Sequence, residues 1–103
     1  MRASHPSIST HVLDTQRGAP AAGVRVELYR DGALLSSQET DADGRIPDLV
    51  RGPLAAGTYR LVFHVPSRLI SRLEVELPVA DAGRHYHIPL LVSPYACTIY
   101  RGS

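Results

Sequence analysis

Five histidines stand in the chain, and their settings separate the chemistry each could do. Imidazole has an ordinary pKa of about 6.5, so near neutral pH it can serve as a general base, an N–H donor or a metal ligand. His5 lies in the N-terminal segment, where chain ends are usually solvated. His64 in "TYRLVFHV" alternates with the apolar set Tyr59, Leu61, Phe63 and Val65, so it reads as a surface group. His11 and His87 are placed differently. In "SISTHVLD", Ile8 and Val12 form an apolar face with Thr10 between them, which turns Ser9, His11 and Leu13 to the other side. In "HYHIPLL", Tyr86, Ile88 and Leu90 share one face, leaving His85, His87, Pro89 and Leu91 opposite. Periodicity says only that these histidines are off the core; a surface histidine and a site histidine both satisfy it.

His85 and His87 at i, i+2 could chelate a metal, but a zinc site needs three or four convergent ligands and no further Cys, His or Asp clusters with that spacing. "TDADGR" begins like a calcium loop with Asp41, Asp43 and Gly44, yet lacks the remaining ligands and the distal Glu. It reads as an Asx turn closed by Gly44. That turn delivers Arg45, a permanently charged donor fork suited to a planar carbonyl or carboxylate. No Gly-x-Ser-x-Gly elbow, paired Cys–His or phosphate-binding glycine loop occurs. Any enzyme chemistry therefore falls to water, a general base and electrophilic donors. The chain finishes on Tyr100, Arg101, Gly102 and Ser103, coming straight off an apolar run. A phenol, a guanidinium and a hydroxyl at that point are either incidental or one wall of a site.

The elements that must position these groups are strands. "GVRVELYR" alternates Val24, Val26 and Leu28 with charged residues, and Asp31-Gly32 then offers the positive φ of a tight hairpin leading into "ALLSSQET". "TYRLVFHV", "RLEVELPV", "YHIPLLV" and "CTIY" continue the pattern, separated by turn signals such as "RGAPAAG", "RGPLAAG" and "ADAG". Seven or eight short strands at this spacing predict an all-β antiparallel sandwich. Leu69, Ile70 and Leu73 in "SRLISRLEV" have helix-like spacing over at most one turn. Pro78 and Pro89, inside strand-like runs, are expected at an edge or a bulge.

A chain of 103 residues makes one domain, 1–103, with a modest core to which association would add burial. Eleven basic against ten acidic residues leave +1, which gives no electrostatic footprint for nucleic acid or an anionic membrane. The single cysteine, Cys97, excludes an internal disulfide framework. "MRASHPSIST" is no secretory signal and no apolar run is long enough to span a bilayer, so the expectation is a cytoplasmic protein, or a periplasmic one if a signal has been removed.

Taken together, "STHVLDTQRGAPAAGVRVELYR", "TDADGR", "GTYRLVF", "HYHIPLLVSPY" and "YRGS" resemble the 5-hydroxyisourate hydrolases of the transthyretin-like family, in one order from about Ile8 to Ser103. The resemblance implies a transthyretin-like sandwich assembled as a homotetramer, a dimer of dimers, with active sites in the channel between dimers. It implies hydrolysis of 5-hydroxyisourate to 2-oxo-4-hydroxy-4-carboxy-5-ureidoimidazoline without metal or organic cofactor. Catalytic roles carry over to His11, Arg45, His87 and Ser103, and substrate binding to His11, Arg45, Tyr100, Arg101 and Gly102. His87, helped by His11, is then the group expected to deprotonate water, with Arg45 polarising the substrate. The segment after Phe63 is shorter than the family pattern, and "ACTIY" replaces a Gly-Tyr-Ser-Thr-Tyr-like run. The rival reading is a transthyretin-like carrier holding a small aromatic ligand in the same channel.

Overall fold

Nine β-strands and no helix form among the described residues, 5–102 of the computed structural model. One sheet holds β1 (Ile8–Asp14), β2 (Ala19–Pro20), β5 (Arg45–Ile46), β8 (Tyr86–Ser93) and β9 (Ala96–Ile99), in the order β2-β1-β8-β9 with β5 also paired to β1. The other holds β3 (Arg25–Arg30), β4 (Ala33–Glu39), β6 (Gly57–His64) and β7 (Arg72–Val79), in the order β4-β3-β6-β7. All pairings are antiparallel except β1 with β8, which run parallel with Ser9 opposite His87 and His11 opposite Pro89.

Alternation decides which side of each strand is buried. Ile8, Val12, Ile88 and Leu90 from the first sheet meet Val26, Leu28, Leu61 and Phe63 from the second, all of them inaccessible or nearly so. Each such side chain contributes roughly 1.5–3 kcal/mol of apolar burial. Thr10, on the apolar side of β1, is tolerated there because its hydroxyl donates to the Ile88 carbonyl at 2.7 Å. Two buried tyrosines pin loops in the same manner: Tyr59 donates to the Ala55 carbonyl at 2.7 Å and Tyr86 to the Asp81 carbonyl at 3.0 Å.

The Asp31-Gly32 hairpin forms as its dipeptide predicts, with φ of 51° and 79°. A register shift between Leu28 and Tyr29 follows, and Leu34 and Leu35 are both left exposed on β4. Leu69, Ile70 and Leu73 build no helical turn. Leu73 is drawn into β7, and Ser67 and Arg68 instead bond the Pro94 carbonyl at 2.8 and 3.0 Å. Three spaced apolar residues do not nucleate a helix when a neighbouring strand can pair with the same chain.

Pro78 lies on β7, an edge strand, where a missing N–H costs no ladder bond. Pro89 does not meet the edge-or-bulge expectation: β8 is interior, flanked by β1 and β9. Its place is explained by where β9 stops. Tyr100, one residue past β9, donates its N–H to the Pro89 carbonyl at 3.4 Å, and proline has none to return.

Candidate active site

The β1–β8 register builds the candidate site on the face of the first sheet that turns away from the core. Residues directly opposite one another share a face, so Ser9 stands beside His87 and His11 beside Pro89. β5 adds Arg45 opposite His11 on the other flank of β1. The tail continues the line of β9, with Tyr100 bonded at Pro89 and the Gly102 N–H donating to the His87 carbonyl at 2.7 Å. Two rows cross the sheet as a result. One runs Arg45, His11, Pro89, Tyr100; the other runs Ser9, His87, Gly102. Rows two residues apart lie roughly 6.6 Å from each other along the strands.

The turn before Arg45 is fixed by Asp41. Its carboxylate accepts the Asp43 and Arg45 amides at 2.9 and 3.0 Å, and the Gly44 N–H donates to the Asp41 carbonyl at 2.9 Å. The Arg45 amide is the main reason that the Asp41 carboxyl is held below its usual range. Gly44 has a φ of +73°, and a Cβ there would lie 2.4 Å from the Val12 carbonyl oxygen, so only glycine brings the turn this close to β1. This is the Asx turn the sequence offered.

His87 is half-buried, and its pKa is lowered. Burial is the first cause, followed by electrostatic repulsion of a second positive charge by the neighbouring His11, His85 and Arg45. The dominant form near neutrality is therefore the uncharged ring. Its Nδ1 lies 2.8 Å from the Ser9 hydroxyl, which lies 2.8 Å from His85 Nε2. His85 and His87 thus converge on a serine. Among the described residues no group of three or more His, Cys, Asp or Glu gathers as a metal site.

His11, Arg45 and His87 come together on the face, with Gly102 against His87 and Tyr100 beside Pro89. A Cβ at Gly102 would stand 3.0 Å from His87 Cδ2. Arg101 goes elsewhere. Its guanidinium lies 4.6 Å from the centre of the Tyr86 ring, on the core side of the sheet, where it makes a cation–π contact. Ser103 lies outside the described residues. The sequence offers His85 only as a partner of His87 in metal chelation and gives Ser9 no working role. Both were on the correct face, but only the register shows that Ser9 stands next to His87.

A profile of the HIUase/Transthyretin family matches residues 8–102, a span that includes every strand. The chain belongs to the HIUase/transthyretin family. It is 40% identical to a 5-hydroxyisourate hydrolase of Deinococcus radiodurans, over 96% of this chain and 98% of that one. The structure of Klebsiella pneumoniae 5-hydroxyisourate hydrolase superposes with a TM-score of 0.86 at 35% identity, covering 94% of this chain and 99% of that one. Sea bream transthyretin, solved in complex with thyroxine, superposes with a TM-score of 0.83 at 26% identity over 92% and 93% of the two chains. The family sandwich therefore hosts both a hydrolase and a protein solved with a hormone, and function has to be argued from the face of the sheet.

Proposed function

We propose that the protein hydrolyses 5-hydroxyisourate, opening its six-membered ring to 2-oxo-4-hydroxy-4-carboxy-5-ureidoimidazoline in urate degradation. One observation carries the reading. His11, Arg45 and His87, groups able to activate water and polarise a carbonyl, share a sheet face in a chain similar over almost its whole length to named hydrolases of this substrate.

The water oxygen bonds to a ring carbonyl carbon while one imidazole takes the water's proton. The carbonyl oxygen becomes an oxyanion facing the Arg45 guanidinium. Collapse of the adduct breaks the carbon–nitrogen bond of the ring, and the departing nitrogen takes up a proton. A donor aimed at the oxyanion is worth about 3–4 kcal/mol, and a placed base about 10²–10⁴-fold. Tyr100 and Gly102 border the histidines on the substrate's side, and Ser103 follows them in sequence.

In one protomer the face is open, with Tyr100 50% exposed. A second copy laid across it supplies the missing walls. Sandwiches paired edge to edge, with two such pairs face to face, give a homotetramer with the sites in the channel between dimers. The carrier reading has less support, because sites for aromatic ligands are walled mainly by apolar groups, whereas this face presents three imidazoles and a guanidinium.

The test is direct. Urate oxidase generates 5-hydroxyisourate in the cuvette, and its ultraviolet decay is followed with and without the protein. A decay no faster than the spontaneous one overturns the proposal.

A further inference from the structure

His87 is held from behind by a run of hydrogen bonds whose direction is fixed at its far end. The Ser7 amide N–H meets His85 Nδ1 at 3.2 Å, His85 Nε2 meets Ser9 Oγ at 2.8 Å, and Ser9 Oγ meets His87 Nδ1 at 2.8 Å. An amide N–H can only donate, so His85 Nδ1 must offer its lone pair. Neutral His85 then carries its proton on Nε2 and donates it to Ser9 Oγ. The serine O–H is left to donate to His87 Nδ1. Neutral His87 accordingly keeps its own proton on Nε2, the nitrogen on the far side of the ring from Ser9.

The other tautomer of His87 would have both rings donating into the serine oxygen. That leaves the serine O–H without an acceptor, since Ser9 is 7% exposed and, among the described residues, its hydroxyl bonds only the two rings. A buried donor with no partner is a costly state. The fixed end is a main-chain group, so no side-chain rotation can reverse the run.

We infer that Ser9 and His85 are positioning residues that hold His87 as its Nε2–H tautomer, so that His87 meets substrate as an N–H donor to the carbonyl oxygen while His11 takes the proton of the attacking water. The division of labour rests on the hydrolase reading above; the tautomer does not. Around His87, the charged and titratable neighbours are His11 on β1, Arg45 on β5 and His85 on its own strand, and with burial they keep the ring neutral. A neutral imidazole whose Nε2 already bears hydrogen cannot accept the water's proton there. It can polarise a carbonyl together with Arg45.

Nitrogen NMR of the intact protein, labelled at its histidines and held above the pH where they titrate, distinguishes protonated from bare ring nitrogens. The expected result is bare Nδ1 and protonated Nε2 in both His85 and His87. Protonated Nδ1 in His87 overturns the inference whatever the variants do. Ser9→Ala should lower kcat by about tenfold, the worth of one hydrogen bond, and should bring both His87 tautomers into view. Ser9→Thr, which keeps the hydroxyl, should recover most of the rate and the single tautomer. Wild-type kcat and an unchanged tautomer in Ser9→Ala also overturn it. If the wild type does not accelerate 5-hydroxyisourate decay at all, the donor role falls with the activity, and the NMR result still decides the hydrogen-bond run by itself.

Discussion

Replacing Gly44 by alanine should damage both the fold and the site, and the size of the effect can be worked out from two glycines. At φ +73° an L-residue costs about 1–2 kcal/mol. The new Cβ would also sit 2.4 Å from the Val12 carbonyl oxygen. Reaching an ordinary separation of about 3.3 Å needs a retreat of about 0.9 Å. That oxygen accepts the Ala21 N–H at 2.9 Å, while the Val12 N–H donates to the Gly44 carbonyl at 2.7 Å. Losing both bonds adds about 1 kcal/mol each. The total is about 3–4 kcal/mol out of a stability of typically 5–15. Gly18 is the control, because its φ of +66° imposes a similar backbone cost and nothing lies within 4 Å of its Cβ position. Thermal unfolding followed by circular dichroism, at equal protein concentration, should place Gly44→Ala about 8–16 °C below Gly18→Ala. Gly44→Ala should also lose activity beyond its unfolded fraction, since the same bonds set Arg45 against His11. Equal melting temperatures for the two variants would refute the reasoning.

Substituting His87→Asn or Arg45→Ala should lower 5-hydroxyisourate hydrolysis by about a hundredfold or more. The elution volume on size exclusion should stay at the wild-type position, and loss of assembly in both variants would make the residues structural. Gly102→Ala places a methyl 3.0 Å from His87 Cδ2, so the expected outcome is a several-fold lower kcat with an unchanged dichroism spectrum, and an unaltered kcat counts against a working tail. His87 should titrate below the ordinary histidine value of about 6.5 in a proton NMR titration. The unfolded chain then binds that proton first as pH falls, so stability drops as pH is lowered through about 6.5 towards the depressed native value. Urea midpoints of His87→Asn measured on either side of that window should show a shallower acid loss than wild type. Burial pushes the Asp48 carboxyl up, but the Ser7 hydroxyl, the Arg51 amide, His5 and the Val50 amide together hold it below its usual value. Asp48→Ala should cost about 1–3 kcal/mol in urea unfolding, and the wild-type contribution should fade as acid carries the pH down through the lowered native pKa.

The legible part of the molecule was its local part. A period of two is set by neighbouring residues, so Ile8, Val12, Ile88 and Leu90 were assignable to the core side, and His11 and His87 to the other, from single strands. Asp31-Gly32 and Asp41 through Gly44 were legible because turn chemistry is also local. What joins the site is not local. Ser9 and His87 are 78 positions apart, and alternation carries no information about which strand lies alongside or in what register. For that reason the sequence alone leaves Ser9 without a role and offers His85 only as half of a metal chelate. Arg101 belongs to the same class: its place over Tyr86 follows from continuing the line of β9 one residue at a time, which needs the β8–β9 register first. Leu69, Ile70 and Leu73 failed in the other direction, since helical spacing over one turn is weaker than the chance to pair Leu73 in β7. Pro89 had no local explanation, because its tolerance depends on the end of a strand that follows it.

The parallel pairing of β1 with β8 also sets a schedule for synthesis. β1 leaves the ribosome before β8, its parallel neighbour, which follows 78 residues later, a gap of roughly 4–16 s at ordinary elongation rates. Through that interval the Ile8 and Val12 face has no interior neighbour from β8, and Ser9 and His11 have no His87. The face that joins His11 to His87 therefore cannot assemble before β8 has been made. Cradling β1 until β8 arrives is where a chaperone would have most to do for this protein, because pairing so distant in sequence is the slow kind.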